Sequence, residues 1–290
     1  MTASARPHKR VSLLPYLYLL PALVLFGMFV FLPFFKTVAT SFFMTDPTGR
    51  MVSFVGLENY LNTFASRDFG TVMSVTFEFA VKVVIGSITM GVFAAILANE
   101  VLHFKGLFCT IYALPMAVSS ACITVICIFI LNPTMGILNY MLGTDIRWLK
   151  DVDTALNSVA VVTVWMQMGL NYIFTIAALQ NVDQSLYEAA AIDGAGVVRK
   201  HWHVTLPCIS PTIFFLLIVN VISSFQSYAQ INLMTQGGPG KFTRVFIYQI
   251  YLEAFVNGRF GVACAQSVIM FFILLGLTLL QFRLEKKVTY

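Results

Sequence analysis

The chain has 290 residues, of which 58% are hydrophobic and 11% are charged, and its formal net charge is +5. Soluble domains carry about 25% charged residues, so this composition excludes an ordinary soluble domain and indicates a membrane protein. The positive charges are spread along the chain and form no basic run with interleaved aromatic residues, which argues against a nucleic-acid partner.

Six apolar segments are long enough to cross a membrane, which takes about 20 residues for about 30 Å of hydrocarbon. They are continuous apolar runs without the alternating polarity of barrel strands, so we predict an all-α polytopic membrane protein in which residues 1–290 form one transmembrane domain. The first run is too long for the apolar core of a cleaved signal peptide, and we expect it to be retained. The predicted spans are residues 13–35, 71–98, 107–130, 156–180, 211–234 and 262–282.

Basic residues lie directly before the first predicted span and directly after the last one. Because Lys and Arg favour the cytoplasmic side of a span, we expect both termini in the cytoplasm, which agrees with an even number of spans. The polar connection between the fourth and fifth spans then also faces the cytoplasm. The flanking basic residues are Arg6, Lys9, Arg10, Arg283, Lys286 and Lys287.

The polar connection between spans four and five predicts a short helix of its own. Ser185 and Glu188 fit the capping-box pattern, a run of alanines follows, and Asp193-Gly194 is a plausible stop. A helix of about two to three turns is marginal in water, so it must pack against something. The residues alone leave two interpretations open: the helix packs on this protein's own helix ends, or it docks onto a separate cytoplasmic partner.

The run Glu188–Ala195, followed by Leu206-Pro207, resembles the EAA motif of permease subunits of binding-protein-dependent ABC importers. Other segments are similar to the carbohydrate-uptake branch of these permeases, and within it to the glycerol-3-phosphate and sugar permease type. These segments are Leu114-Pro115, Asn132-Pro133 with Gly136 and Asn139, Trp165, Thr235–Pro239, Tyr251 with Ala254 and Phe255, and the tail Gln281–Tyr290.

The resemblance implies a permease subunit that imports a sugar, an oligosaccharide or glycerol 3-phosphate across the bacterial cytoplasmic (inner) membrane. It also implies four kinds of partner: a second homologous permease, two cytoplasmic ATPase subunits, an extracytoplasmic solute-binding protein and the lipid membrane. The predicted short helix would be a coupling helix that docks on the ATPase. The residues assigned to ATPase coupling are Tyr187, Glu188, Ala189, Ala190, Asp193, Gly194, Ala195, Leu206 and Pro207.

The chain lacks the Walker A pattern that holds nucleotide phosphates, because the Gly240-Lys241 pair has neither the required upstream glycine nor a following Ser or Thr. We therefore expect no cofactor in this chain, and ATP and Mg²⁺ would be bound by the partner ATPase. His201 and His203 point to different helix faces without a nearby cysteine, so we predict no metal site. No nucleophile–base pair is visible either, which disfavours a membrane enzyme.

Uncharged polar residues in spans four and five are candidates for the solute path. Those in span five follow one helical stripe, and such stripes either hold helices together or line a cavity. The residues leave both readings open, and the resembled permeases take substrate contacts from these spans. The uncharged side chains favour a neutral sugar, whereas the resemblance includes glycerol 3-phosphate. The candidate path residues are Thr163, Gln167, Asn171, Asn220, Ser223, Ser224 and Ser227.

Glu78 and Lys82 are the charged residues inside the predicted spans. A charge at the centre of a span costs about 2.5–3.5 kcal/mol on insertion scales, and the spacing with Glu first favours a helical ion pair. We prefer a neutralising pair toward the outer end of the span. The alternative is an ion relay, which would indicate an ion-coupled secondary transporter.

Overall fold

The computed structural model describes residues 14–100 and 105–288, and this part of the chain is almost entirely helical. The all-α fold predicted from the sequence is confirmed. Two strands form a hairpin, β1 (Phe43–Thr45) and β2 (Met51–Phe54). The helices are α1 (Leu14–Phe26), α2 (Leu32–Thr40), α3 (Glu58–Ala65), α4 (Arg67–Glu100), α5 (Lys105–Ala117), α6 (Ser120–Ile130), α7 (Ile137–Leu142), α8 (Val152–Leu179), α9 (Gln184–Ile192), α10 (Val197–Lys200), α11 (Leu206–Phe225), α12 (Tyr228–Met234), α13 (Phe246–Tyr251) and α14 (Phe260–Val288).

Three π-helical turns extend or join these helices. They are Gly27–Phe31 between α1 and α2, His201–Thr205 between α10 and α11, and Leu252–Val256 after α13. The basic residues Arg6, Lys9 and Arg10, on which the predicted orientation partly depends, lie outside the described residues, as do the last two residues of the tail.

Five continuous helices of the described chain are long and apolar enough to cross a membrane, and a bent pair makes a sixth span if its two halves are taken together. The six-span prediction therefore matches when the bent pair is one span. That residues 1–290 form a single transmembrane domain stays a prediction. The continuous spans are Leu17–Thr40, Arg67–Glu100, Val152–Leu179, Val197–Phe225 and Phe260–Glu285.

The third predicted span, residues 107–130, is not one continuous helix. Its two halves, Cys109–Ala117 and Ser120–Ile130, meet at an angle of 105°. Ser119 has extended backbone there, with a ψ of 135°. Sharp bends in helices occur at Pro and at Gly or Ser pairs, and this segment has Pro115 and then the pair Ser119-Ser120.

The fifth predicted span, residues 211–234, is shifted toward the N-terminus. The helix that is long and apolar enough to cross the membrane runs over Val197–Phe225, because α10, the π turn and α11 follow one another without a break and continue past Pro207. The helix ends at Gln226, in a cluster of Ser and Gln side chains that compete for backbone hydrogen bonds. Residues 228–234 form the separate helix α12.

The core of the protein is built around the packing of α4 on α8. Two glycines of α4 allow the close approach: a Cβ at Gly86 would lie 2.7 Å from Val164 Cγ2, and one at Gly91 would lie 2.4 Å from Asn171 Cβ. Helices inside a membrane gain little from the hydrophobic effect, so small residues that let backbones approach are a main source of their packing energy.

The two ends of the molecule differ in structure. The hairpin end is the β1–β2 hairpin together with the start of α14, and the two are joined by the bond from Gly261 N to Thr45 Oγ1, 2.9 Å long. The loop-helix end is α9 together with the end of α4 and the π turn before α11. The predicted coupling residues all lie at or beside the loop-helix end.

Candidate functional site: the loop helix and the buried polar network

Helix α9 begins where the sequence predicts a helix, but with a different cap. The Asp183 carboxylate accepts a hydrogen bond of 2.9 Å from the Ser185 backbone N–H, so Asp183 is the N-cap and the predicted Ser185 cap is wrong. That backbone bond, together with the Ser185 hydroxyl, lowers the pKa of Asp183 below its ordinary value. Asp183 therefore stays ionised at the helix start, where a negative charge is favourable.

The end of α9 is a Schellman turn centred on Gly194. The Gly194 N–H donates to Ala191 O at 3.1 Å, and the Ala195 N–H donates to Ala190 O at 2.9 Å. Gly194 has a φ of +75°, which a glycine adopts without steric cost. The stop predicted at Asp193-Gly194 is confirmed.

The predicted coupling residues divide into two groups at this end. Tyr187, Ala190, Ala195 and Leu206 are half-buried, and the remaining five are exposed, namely Glu188, Ala189, Asp193, Gly194 and Pro207. The surface beside them is apolar, because Ile192 is 86% exposed and Val198 is 81% exposed. Glu188, Ile192 and Val198 are thus exposed residues of mixed chemistry at this end, and we name the three together the loop surface.

Three residues that the sequence analysis did not assign to the site fasten α9 to the rest of the protein. The Tyr187 hydroxyl lies 2.9 Å from Thr205 Oγ1, which in turn lies 3.1 Å from His201 Nδ1. His201 Nε2 is 3.0 Å from Glu100 Oε1 at the end of α4. His203 instead bonds the Arg199 carbonyl through Nδ1. No group of three or more candidate metal ligands occurs within residues 14–100 and 105–288.

The candidate path residues Asn171 and Asn220 form a buried amide pair between α8 and α11. Asn220 Nδ2 donates to Asn171 Oδ1 at 2.7 Å, and Asn171 Nδ2 donates back to Asn220 Oδ1 at 3.1 Å. Ser87 of α4, which the sequence analysis did not single out, donates to Asn220 Oδ1 at 2.9 Å. In this conformation these side chains hold three helices together. This agrees with the interpretation in which the polar stripe joins helices, and not with the one in which it lines a cavity.

The other candidate path residues are largely engaged within their own helices. Thr163, Ser224 and Ser227 each donate to a backbone carbonyl of the preceding turn. Ser223 is half-buried. Gln167 differs from the rest, because its Oε1 is buried without a hydrogen-bond partner. The structure thus brings Asn171 and Asn220 together. It does not place the remaining candidates in one common solute site.

We expect Asn220→Ala to destabilise the helix packing, because Asn171 and Ser87 would lose their buried partner. Leaving a buried polar group unpaired costs about 1–3 kcal/mol. The thermal unfolding midpoint in detergent measures the loss. The double variant Asn171→Ala/Asn220→Ala leaves fewer orphaned groups and is expected to be less destabilised than the sum of the single variants. Strict additivity of the two losses would contradict a direct amide pair.

Glu78 and Lys82 form the expected ion pair. Lys82 Nζ lies 2.5 Å from Glu78 Oε1 and 2.6 Å from Asn157 Oδ1 of α8. Their side chains are 54% and 35% exposed, respectively. The geometry supports the reading in which the two charges neutralise each other inside the span, with Asn157 as an additional partner.

Comparison with known proteins places the chain in a family. Residues 87–290 match the family described as the binding-protein-dependent transport system inner membrane component. The sn-glycerol-3-phosphate transport system permease protein UgpA of Yersinia enterocolitica is 36% identical over 293 residues, covering 99% of each chain. The protein of the same name from Agrobacterium fabrum is 36% identical over 284 residues, covering 96% of this chain and 97% of the relative.

Solved structures show the same fold. A chain of a bacterial ABC transporter involved in the import of the acidic polysaccharide alginate superimposes with a TM-score of 0.85 at 23% identity, covering 96% of each chain. A chain from a complex of the alginate transporter with its pentasaccharide-bound periplasmic protein gives a TM-score of 0.83 at 23% identity, covering 95% of each chain.

The family match and the nearly full-length relatives agree with the apolar spans of the structure and with a transport component rather than an enzyme. The chain is a multi-pass membrane protein that belongs to the family of inner membrane components of binding-protein-dependent transport systems.

Proposed function

We propose that this chain is one permease subunit of an ATP-driven importer for a carbohydrate-type solute, including glycerol 3-phosphate, which an external binding protein delivers. Its partners are a second homologous permease and two cytoplasmic ATPase subunits, which bind the ATP and Mg²⁺. The observation that carries the proposal is the loop-helix end, where α9 is capped at both ends but leaves the loop surface uncovered.

The loop surface has the chemistry of a docking site. Helix α9 has no fully buried residue, and the described part of this chain leaves its Glu188, Ala189 and Ile192 exposed. Ala189 is small enough to allow close approach, Glu188 supplies a charged contact, and Ile192 supplies apolar area. These features support docking on a cytoplasmic ATPase, so α9 acts as the coupling helix. The loop-helix end and both chain termini then lie in the cytoplasm, while the hairpin end faces the binding protein.

The class of solute follows from the relatives and from the spans. Relatives of 36% identity are named for sn-glycerol 3-phosphate, and one structural neighbour is named for alginate import. The path of this chain offers uncharged amides and hydroxyls, and the charge of Lys82 is neutralised by Glu78. The names of the relatives favour glycerol 3-phosphate, whereas the uncharged side chains favour a neutral sugar. An uptake assay decides between the two solutes by testing whether unlabelled sugars compete with labelled glycerol 3-phosphate.

We predict that Glu188→Lys lowers solute uptake by about tenfold or more, the scale of a typical coupling free energy between sites. The reversed charge opposes docking but lies on an exposed position, so the chain should still accumulate in the membrane. Uptake of labelled solute by cells with the complete transporter gives the measurement. Gln184→Lys is the control, because it also places a lysine at an exposed position of α9 but leaves Glu188 in place, with a charge change of +1 against the +2 of Glu188→Lys.

Normal uptake by the Glu188→Lys variant would show that α9 does not couple the chain to an ATPase. The ion-coupled alternative makes a separate prediction, in which uptake collapses with the ion gradient and does not respond to loss of ATP. The geometry gives that alternative little support, since Glu78 and Lys82 bind each other and Asn157.

A further inference from the structure

A chain of hydrogen bonds connects the loop helix to two membrane-spanning helices. It runs from Tyr187 of α9 to Thr205, from Thr205 to His201, and from His201 to Glu100. Thr205 and His201 are the last and first residues of the π turn that leads into α11, and Glu100 is the last residue of α4. Thr205 is fully buried, so its hydroxyl has no water to replace a lost partner.

The donors along this chain align in one direction. An ionised Glu100 carboxylate only accepts hydrogen bonds, so His201 Nε2–H is the donor in this contact. In the tautomer of His201 that carries its proton on Nε2 alone, Nδ1 has a lone pair that accepts the Thr205 hydroxyl proton. In that tautomer Thr205 Oγ1 accepts from the Tyr187 hydroxyl. Thr205 and His201 each have two partners and Tyr187 and Glu100 each end the chain, and aligned hydrogen bonds of this kind strengthen one another.

The chain of hydrogen bonds passes through the π turn His201–Thr205. In it the Leu206 N–H bonds to the carbonyl of His201, five residues back, and π turns inside helices are frequent at functional sites. His201 and Thr205 are four residues apart, so their side chains lie on one face of the helix. It also precedes Pro207, which can donate no backbone bond of its own.

We infer that Tyr187, Thr205 and His201 are positioning residues that transmit a displacement of α9 to the ends of α4 and α11. The inference rests on the proposed function. Because α9 has no buried residue, little else in the chain fixes its position. The bond from Ser87 to Asn220 joins the same two helices deeper in the protein, so α4 and α11 are held together at two levels. A displacement of α9 therefore moves them as a pair.

The test uses Thr205→Val, which keeps the shape of the side chain and removes the central hydroxyl. Solute uptake and ATP hydrolysis are measured together in proteoliposomes that contain the whole transporter. We expect the solute moved per ATP hydrolysed to fall by about tenfold, and Thr205→Ser to restore it. Thr124→Val is the matched control, because that buried hydroxyl donates to Ser120 O in its own helix, at 2.7 Å, and bonds no other helix within the described residues.

If the Thr205→Val variant moves as much solute per ATP hydrolysed as the wild type, the inference is overturned. If Glu188→Lys abolishes uptake in the same assay, the proposed function stands and only the hydrogen-bonded chain loses its role. If Glu188→Lys is also active, the proposed function itself is wrong.

The milder variants Tyr187→Phe and His201→Gln keep the inference testable if Thr205→Val fails to accumulate. Because a single break interrupts the whole chain of hydrogen bonds, the double variant Tyr187→Phe/His201→Gln should lose no more transport per ATP than either single variant. Losses that multiply in the double variant would mean two independent structural contacts and would overturn the inference.

Discussion

Gly194→Pro is expected to abolish solute uptake while the chain remains in the membrane. Proline fixes φ near −65°, whereas Gly194 has a φ of +75°. Proline also lacks the N–H that Gly194 donates to Ala191 O. Both bonds of the Schellman turn are lost, and the chain after α9 leaves in another direction. The loop surface then no longer has the shape that docking needs, and uptake falls by about a hundredfold, within the range of coupling energies.

Two other variants separate a backbone effect from general damage to the loop. Gly196 lies two positions further on, has ordinary negative φ, and has open space around a Cβ, so Gly196→Ala should transport normally. Gly194→Asn should keep part of the activity, since Asn tolerates the left-handed conformation better than other residues with a Cβ. Wild-type uptake by Gly194→Pro would contradict the role of this turn.

The second large effect is expected at Gly91, where adding one methyl group forces α4 and α8 apart. The Cβ of Gly91→Ala would lie 2.4 Å from Asn171 Cβ and 3.1 Å from both Asn171 C and Tyr172 N. A backbone neighbour cannot rotate away, so the helices must shift, at a cost of about 1–3 kcal/mol or more. The shift also disturbs the Asn171–Asn220 pair. We expect the unfolding midpoint in detergent to fall by about 5 °C or more.

Gly276→Ala is the matched control for this experiment. Gly276 lies inside α14, and a Cβ there would meet nothing within 4 Å. Alanine is favoured over glycine in a helix interior by about 1 kcal/mol, so this variant should unfold at the same or a higher temperature. An unchanged midpoint for Gly91→Ala would mean that α4 and α8 do not pack as closely as the structure shows.

The sequence predicts the features of this protein that depend on neighbouring residues. Long apolar runs predict the spans, and the Asp193-Gly194 pair predicts the end of α9. The prediction is wrong at the start of α9 because Asp183 and Ser185 are both good capping residues, and the capping-box pattern alone selects Ser185. In the fold, the Asp183 carboxylate takes the bond from the Ser185 N–H instead.

Features that depend on distant residues were not predicted. The pair Asn171–Asn220 joins side chains 49 residues apart, and Glu100 meets His201 across the connection that contains two further spans. No pattern in a single sequence indicates that two such distant positions are in contact. The fifth span was misplaced because Val197–Thr205 is polar in composition, although it continues as one helix with α11 through a π turn.

The claim that α9 couples this chain to a cytoplasmic ATPase is tested most directly by purifying the tagged chain from its native membrane in mild detergent and identifying what accompanies it. We expect an ATPase and a second permease in fixed ratio, with the ATPase lost and the permease retained in the Glu188→Lys variant. A chain that purifies alone and still supports solute uptake without ATP would contradict it.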